Sequence, residues 1–376
     1  MEKLKKTLGI ITFYTNYNYG SSLQAYALSH YLENKGYETF IVDYVDLSNP
    51  INRKLRRRTY FNRILCGISH PQIIKEMLKG KRIANRSIER SDLIRKIYRE
   101  FNENYLNVFS GDYLNFDAFI CGSDQVWKLS APGLHEIFFL RFTNNKKRIS
   151  YAASLGVQEI PFYNRKKLKK YLRDFKAISV REDDAKILLE REIKTPVTQV
   201  LDPVLLVKST FWDKVVSEKM IPEKPYIVCY FLDSFEEYLE SILDIKERFD
   251  AELLLIDSGI NLESEINEQF EVVQPTPFEF LGLIKKSKAI ITDSFHGTAF
   301  SIVFHKNFWT IPRRYRVYSG QKSRLQSLFR LTKLNERYVE NGKFVDGDIN
   351  YEKVDKRINE LRVRSEKFLE QSLEDI

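Results

Sequence analysis

The sequence predicts an α/β protein built from two Rossmann-like, doubly wound domains that face a central cleft. Short apolar runs rich in β-branched residues alternate with longer stretches of helical sequence, which is the pattern of βαβ units and parallel sheets. At 376 residues the chain has room for two such cores. The segment 204–224 is polar and bordered by Pro203, Pro222 and Pro225, so we expect the domains to meet there.

Each apolar run is assigned to a strand in chain order. Six are expected in the first half: Thr7–Tyr14, Thr39–Tyr44, Ala118–Gly122, Arg148–Ala153, Ala177–Arg181 and Thr198–Pro203. Five are expected in the second half: Tyr226–Phe231, Glu252–Ile256, Glu271–Val273, Ala289–Thr292 and Phe308–Ile311. Helical spacing of apolar residues predicts a helix over Leu23–Asn34 and a closing helix over Tyr351–Leu373. We therefore predict an N-terminal domain over 1–205, with a basic helical insert at about 50–105, and a C-terminal domain over 206–376.

The amino-acid composition indicates what kind of protein this chain is. Hydrophobic residues make up 43% and charged residues 30% of the chain, the balance of a folded soluble protein. The apolar run Leu8–Phe13 after the first lysines is too short for a signal peptide or a membrane span, so we expect a cytoplasmic protein. The three cysteines are far apart and fit no metal or redox spacing, which predicts neither a disulfide nor a bound metal.

Positive charge is concentrated in residues 53–99. This segment holds 15 basic and three acidic residues, a net charge of +12 compared with +9 for the whole chain. Its basic residues could form a solvated helix face, or they could contact anionic lipid headgroups or a diphosphate-linked lipid at the inner face of a membrane. No nucleic-acid-binding motif accompanies the charge, and we do not expect a nucleic acid partner.

The run from Ala289 to Phe300 is the strongest candidate for a functional site. An apolar strand stops at Asp293, and His296 and Gly297 open the next helix. Ligands of open parallel sheets bind beyond the carboxyl ends of the strands, where the imidazole of His296 could transfer a proton. The backbone N–H groups of Gly297 and Thr298 could hold an anion. A helix-capping role for His296 is the alternative.

Two further clusters follow predicted strands. The turn containing Asn18, Tyr19 and Gly20 offers neutral hydrogen bonds of the kind that sugars require, although tight turns in any α/β protein look similar. In the second cluster, around Ser123, Asp124 could act as a general base or orient a hydroxyl, and Trp127 could stack on a sugar ring. The alternative is a turn aspartate and a core tryptophan.

Cationic residues near the predicted cleft indicate an anionic ligand. Arg181 lies where a strand gives way to a helix and could bind a carboxylate or phosphate, although Glu182, Asp183 and Asp184 could equally pair with it. After the last strand comes a second cationic cluster that contains Arg314, Lys322 and Arg324.

Six short motifs, taken in order, resemble the polysaccharide pyruvyl transferase family from near residue 8 to about residue 330. They are Tyr17-Asn-Tyr-Gly20, Cys121-Gly-Ser-Asp-Gln-Val-Trp127, Ser150-Tyr-Ala-Ala-Ser154, Ser179-Val-Arg-Glu182, Leu201-Asp-Pro203 and Asp293-Ser-Phe-His-Gly297. The resemblance implies a GT-B-like fold and transfer of pyruvate from phosphoenolpyruvate to a sugar diol. The product would be a cyclic ketal on a surface polysaccharide or its lipid-linked precursor, with release of phosphate and no cofactor.

The residues can be fitted to that reaction. Arg181 and the cationic cluster would bind phosphoenolpyruvate, whose carboxylate and phosphate need several cations. His296, with Asp293 as its neighbouring carboxylate, would protonate C3 of phosphoenolpyruvate, and Asp124 would be the base for a sugar hydroxyl.

Two rival functions remain open from the sequence. One is a GT-B glycosyltransferase that uses a nucleotide sugar, with Arg314 and Lys322 at its diphosphate. The other is a non-catalytic protein of polysaccharide assembly whose basic helices dock on a membrane or a partner.

Overall fold

A computed structural model describes residues 5–71, 92–130, 132–144, 147–259, 268–313, 320–340 and 342–376, with only the backbone described at 320–322. Two parallel sheets form its framework. A seven-stranded sheet has the strand order β3-β2-β1-β4-β5-β6-β7, and a five-stranded sheet has the order β10-β9-β8-β11-β12. All strand pairs are parallel, and helices alternate with the strands along the chain. The predicted fold class, two doubly wound α/β units, is confirmed.

The N-terminal half contains the larger sheet. Its strands are β1 (Thr7–Ile11), β2 (Glu38–Val42), β3 (Val108–Phe109), β4 (Ala118–Cys121), β5 (Arg148–Ala153), β6 (Ala177–Val180) and β7 (Val197–Gln199). Its helices are α1 (Tyr19–Asn34), α2 (Pro50–Ser69), α3 (Asp92–Tyr105), α4 (Phe162–Leu172) and α5 (Asp183–Glu190), with a 3₁₀ turn at Glu136–Phe139. The predicted basic insert thus includes α2 and α3, and residues 72–91 between them lie outside the described part of the chain.

The C-terminal half contains the smaller sheet. The short helices α6 (Pro203–Leu206) and α7 (Ser209–Trp212) lead into it through the segment where we expect the domains to meet. The strands are β8 (Tyr226–Tyr230), β9 (Glu252–Ile256), β10 (Glu271–Val273), β11 (Ala289–Thr292) and β12 (Asn307–Thr310). The helices are α8 (Leu239–Phe249), α9 (Pro277–Lys286), α10 (Phe295–Val303), α11 (Gly320–Thr332) and α12 (Tyr351–Leu373), with 3₁₀ turns at Glu236–Tyr238 and Asn335–Arg337.

One strand of the larger sheet is absent from the sequence prediction, and several predicted strands are longer than the observed ones. β3 has only two residues and lies at the edge of the sheet, so it leaves no alternating pattern to detect. β1 ends at Ile11 instead of Tyr14, and β7 ends at Gln199 instead of Pro203. In both places buried residues, Thr12 and Tyr14 after β1 and Val200 and Leu201 after β7, follow the last residue that pairs with a neighbouring strand.

The two halves are packed together through buried contacts. The ring of Tyr19, at the start of α1, stacks on Phe280 of α9 with centroids 4.5 Å apart. Helix α12 returns to the N-terminal half, where Oγ of Ser365 accepts a hydrogen bond of 2.9 Å from the backbone N–H of Leu201. No helix in the described ranges is long and apolar enough to cross a membrane.

Candidate functional site

The strand order places three of the predicted clusters at the points where each sheet reverses direction. In the larger sheet β1 and β4 are neighbours, yet the chain moves outward from them in opposite directions. The smaller sheet has the same reversal between β8 and β11. In open α/β sheets the ligand crevice lies at such a point, because helices cannot cover the carboxyl ends of the strands there. Gly20 in the first turn of α1, Asp124 after β4 and His296 in the first turn of α10 lie at these two points.

His296 meets the N-terminus of α1 from the opposite half of the protein. A Cβ atom added to Gly20 would lie 2.0 Å from Nδ1 and 2.1 Å from Cγ of His296. Glycine is therefore required at position 20 because any side chain would overlap the imidazole. Gly20 thus has a steric role, and the backbone of α1 forms one wall of the histidine pocket.

Asp202 is the carboxylate that approaches the imidazole. Its Oδ2 lies 3.6 Å from Nε2 of His296, too far for a hydrogen bond but close enough to attract the imidazole when it carries a proton. The same oxygen accepts hydrogen bonds of 2.7 Å from Nη1 of Arg181 and 2.8 Å from Oγ of Ser123. Burial alone would raise the pKa of Asp202, but the charges of His296 and Arg181 hold it well below its ordinary value.

Sequence analysis did not assign a role to Asp202, although the Leu201-Asp-Pro203 motif marks it. We expected Asp293 to be the neighbouring carboxylate of His296, and the structure corrects this. Oδ1 of Asp293 accepts a hydrogen bond of 2.9 Å from the backbone N–H of Leu232, and Oδ2 lies 3.3 Å from Nε of Arg313. Burial raises the pKa of Asp293 to about 6, an effect that Arg313 only partly offsets.

Arg181 links the two halves at the base of the crevice. Its Nε donates a hydrogen bond of 3.1 Å to Glu182, and its Cζ lies 3.9 Å from the centroid of the Phe295 ring, within cation–π distance. Burial would lower the pKa of Arg181, but Glu182, Asp202 and Asp124 raise it overall. Within the described ranges its buried Nη2 has no hydrogen-bond partner, so this atom can donate to a ligand.

Among the three acidic residues that could pair with Arg181, only Glu182 does so in the described structure. Asp183 and Asp184 are turned toward α11, where both bind Arg330 at distances of 2.5 Å and 2.7 Å. Neither of these two carboxylates therefore pairs with Nη2 of Arg181.

Asp124 is a second buried carboxylate close to the cationic residues Arg181 and Arg324. Its Oδ2 accepts a hydrogen bond of 2.8 Å from Oγ of Ser21. Burial would raise the pKa of Asp124, but His296, Arg181 and Arg324 lower it overall. A carboxylate with a lowered pKa is a weak base, so the arrangement favours the second predicted role, that of orienting a hydroxyl.

Arg324 on α11 completes the cationic cluster. It is only 8% exposed, and burial together with repulsion by Arg181 and Arg313 lowers its pKa to about 10. A buried cation that is repelled by two arginines would be stabilised by a bound anion. Of the other two predicted cations, Arg314 and the side chain of Lys322 lie outside the described residues.

The predicted binding of an anion by the backbone N–H groups of Gly297 and Thr298 does not fit the structure. The backbone N–H of Gly297 donates to Oγ of Ser294 at 3.3 Å, and the N–H of Thr298 donates to the carbonyl of Ser294 at 2.9 Å. Ser294 therefore caps the helix and occupies both groups. Arg181 and Arg324 are better placed to bind an anion.

Three more predicted binding residues have structural contacts. The indole of Trp127 is 1% exposed, stacks on Phe139 and donates a hydrogen bond to the carbonyl of Phe138, so neither face is open for the expected sugar. The hydroxyl of Tyr19 donates to the carbonyl of Pro275 at 2.9 Å. Asn18 caps α1 by accepting a hydrogen bond from the N–H of Ser21.

The candidate site thus consists of His296, Asp202, Arg181, Asp124 and Arg324. It can bind a small molecule with more than one negative charge, orient a hydroxyl and transfer a proton. No group of three or more His, Cys, Asp or Glu side chains that could hold a metal ion occurs among the described residues.

Solved structures with a similar fold share little sequence with this chain. A UDP-N-acetylglucosamine 2-epimerase from Listeria monocytogenes has 11% identity and a TM-score of 0.45, covering 99% of this chain and 91% of its own. The glycosyltransferase SnogD from Streptomyces nogalater has 12% identity and a TM-score of 0.43, covering 97% and 96%. Similarity at this level carries no information about activity.

The family relationship comes from the sequence. No curated protein matches the chain significantly. The polysaccharide pyruvyl transferase family, however, matches residues 18–315, a range that contains His296, Asp202, Arg181 and Asp124. The match confirms the resemblance that the six motifs indicated. The chain belongs to the polysaccharide pyruvyl transferase family.

Proposed function

We propose that the protein transfers pyruvate from phosphoenolpyruvate to a diol of a sugar, forms a cyclic ketal and releases phosphate. The observation that carries this proposal is the buried cationic cluster of Arg181 and Arg324, whose charges act together with His296 on Asp124. Membership of the polysaccharide pyruvyl transferase family supports the reaction class.

Phosphoenolpyruvate matches the charge of the cluster. It carries a carboxylate and a phosphate on a three-carbon frame, so it needs at least two cationic groups that point to one place. Nη2 of Arg181 is a donor without a partner among the described residues, and Arg324 is a cation whose pKa is lowered by burial and by repulsion from neighbouring arginines. Binding of the two anionic groups would offset that repulsion.

The reaction then needs one general acid and two hydroxyl nucleophiles. His296 gives a proton to C3, which becomes a methyl group and leaves C2 electron-poor. A first hydroxyl, oriented by Asp124, forms a C–O bond to C2, the bond from C2 to the phosphate oxygen breaks, and a second hydroxyl closes the ring. Of the two hydroxyl protons, one returns to His296 and the other leaves on phosphate, so the site regains its starting charge.

A cavity beside the site supports a saccharide acceptor. It has a volume of about 830 Å³ and is lined by aromatic and polar side chains, including Tyr14, Tyr17, Tyr98, Arg95 and Arg99. It adjoins the site through α1, because Tyr98 contacts the ring of Tyr19, the residue before Gly20. Aromatic rings and hydrogen-bonding groups are the usual surroundings of a sugar, and three carboxylates in the same lining, Glu33, Asp43 and Glu103, can accept hydrogen bonds from its hydroxyls.

Calorimetric titration of the purified protein with phosphoenolpyruvate, UDP and GDP tests the donor. We expect saturable binding of phosphoenolpyruvate that Arg324→Gln weakens by about 10- to 100-fold, the effect of losing one charge-assisted contact. Arg337→Gln is the matched control, since Arg337 is a similarly buried arginine that binds Asn307 at the opposite end of β12. That variant should keep the affinity for phosphoenolpyruvate.

Binding of UDP or GDP without any response to phosphoenolpyruvate would contradict the proposal and make the protein a nucleotide-sugar glycosyltransferase. A product assay tests the second half of the reaction. Saccharides with a free 4,6-diol, built on galactose, mannose or N-acetylhexosamine, are incubated with phosphoenolpyruvate. The expected product gives the methyl NMR signal of a pyruvate ketal, together with one equivalent of phosphate.

A further inference from the structure

Helix α2 (Pro50–Ser69) is attached to the larger sheet by one face only. Leu55 and Thr59 are buried, and Oγ of Thr59 accepts a hydrogen bond of 3.1 Å from the backbone N–H of Glu136. The buried carboxylate of Glu136 in turn binds Nε of Arg58 at 3.0 Å and the side-chain amide of Asn62 at 3.0 Å. These contacts fix the orientation of the helix, so its opposite face is held outward.

The outward face of α2 is apolar along its second half. Tyr60, Phe61 and Ile68 are 66%, 59% and 71% exposed, and Ile64 and Leu65 are exposed as well. At 100° per residue these five side chains fall within an arc of about 140°, so they form one continuous stripe. The ring of Phe162 is also exposed and contacts His70, the residue after the helix, with centroids 5.0 Å apart. Exposed apolar patches of this kind mark interaction surfaces.

The first half of the same face is basic. Arg53, Lys54 and Arg57 are exposed and fall within the arc of the apolar stripe, one to two turns earlier. Helix α2 contains no acidic residue. A cavity of about 900 Å³ lies between α2 and the loop after β2, and Arg53, Arg56 and Arg57 line it with Tyr60 and Phe61. The surface therefore places cations beside exposed aromatic rings.

We propose that the outer face of α2 docks on an anionic lipid bilayer. Apolar side chains that cannot be buried within the protein would enter the boundary between headgroups and acyl chains, and the arginines would bind lipid phosphates. Because α2 has no acidic residue, the charge of Arg53, Lys54 and Arg57 is not offset within the helix, and this half of the surface is complementary to negative charge. The helix would lie in the plane of the membrane, because its inner face stays attached to the protein.

Sedimentation with vesicles tests the proposal without any substrate, so its result is independent of the proposed reaction. We expect the full-length protein to bind phosphatidylglycerol-containing vesicles and not pure phosphatidylcholine vesicles, with binding that weakens as salt is raised. Replacing Arg53, Lys54 and Arg57 by glutamine should lower the partition coefficient on the order of a hundredfold, roughly fivefold for each basic residue near the surface. The matched control replaces Lys353, Lys356 and Lys367, three exposed lysines of α12, and should keep full binding.

The apolar stripe is tested separately with Tyr60, Phe61 and Ile68 replaced by serine. Vesicle binding should fall, and the thermal unfolding midpoint should stay unchanged because these side chains have few contacts within the protein. Serine at Ile187, Val272 and Val363, which are exposed elsewhere, provides the control. Equal binding to neutral vesicles, or equal binding by the α2 variants and their controls, would overturn the proposal. So would a loss of self-association in the stripe variant, because the stripe would then be an interface between two copies of the chain.

Discussion

Replacement of Asp202 by asparagine tests whether this residue organises the candidate site. Asparagine has the same shape and keeps the acceptor that caps α6, where Oδ1 binds the N–H of Val204 at 3.0 Å. The change removes the charge that binds Nη1 of Arg181 at 2.7 Å and lies 3.6 Å from His296. The three side chains are buried, so water cannot replace the lost interaction.

The expected loss follows from that geometry. Removing one member of a buried ion pair typically costs about 3–5 kcal/mol, because the partner keeps an uncompensated charge. Glu182 still binds Nε of Arg181 at 3.1 Å, which places our expectation near the lower end, about 3 kcal/mol. Urea unfolding followed by circular dichroism measures the free energy, and the titration with phosphoenolpyruvate measures the effect on the site.

The control is Asp183→Asn, which weakens the pair with Arg330. The side chains of Asp183 and Arg330 are 33% and 40% exposed, so solvent screening reduces the expected loss to about 1 kcal/mol or less. A loss for Asp202→Asn no larger than that of the control, together with unchanged affinity for phosphoenolpyruvate, would refute the central role that we assign to Asp202.

Two other predictions concern the same crevice. Gly20→Ala should lower the free energy of unfolding by about 1–2 kcal/mol. Overlap with His296 costs about 1–3 kcal/mol, and the higher helix propensity of alanine offsets up to about 1 kcal/mol of that cost. A double-mutant cycle with His296→Gly measures the energy of the overlap between position 20 and the imidazole. If Gly20→Ala costs as much in the His296→Gly background, the overlap is not the cause of the loss. Because burial raises the pKa of Asp293 to about 6, above its value of about 4 in the unfolded chain, the folded state takes up a proton between these values. The free energy of unfolding should therefore rise by about 1 kcal/mol from pH 7 to pH 5, relative to that of Asp293→Asn. If the two proteins show the same dependence on pH, Asp293 does not titrate in this range.

The two doubly wound sheets, and the polar residues that follow their strands, can be predicted from the sequence alone. β5, β9, β10 and β11 begin and end where the sequence predicts, because each is a short run bordered by residues of a different character. Parallel strands expose their carboxyl ends at one edge of a sheet, so the positions of the polar residues after β1, β4, β6 and β11 are enough to assign them to a crevice.

Which side chains meet at these strand ends, and which way they face, depends on how distant parts of the chain pack together. Asp202, and not Asp293, approaches Nε2 of His296, because the path of the chain after β7 turns Asp202 toward the opposite half. Trp127 lies next to a site loop in sequence, yet its indole is directed into the core, where it stacks on Phe139. The spacing of apolar and polar residues along the chain predicts where a strand ends and a loop begins. The direction of a side chain after the last paired residue depends on long-range packing and hydrogen bonds, which a local pattern does not contain.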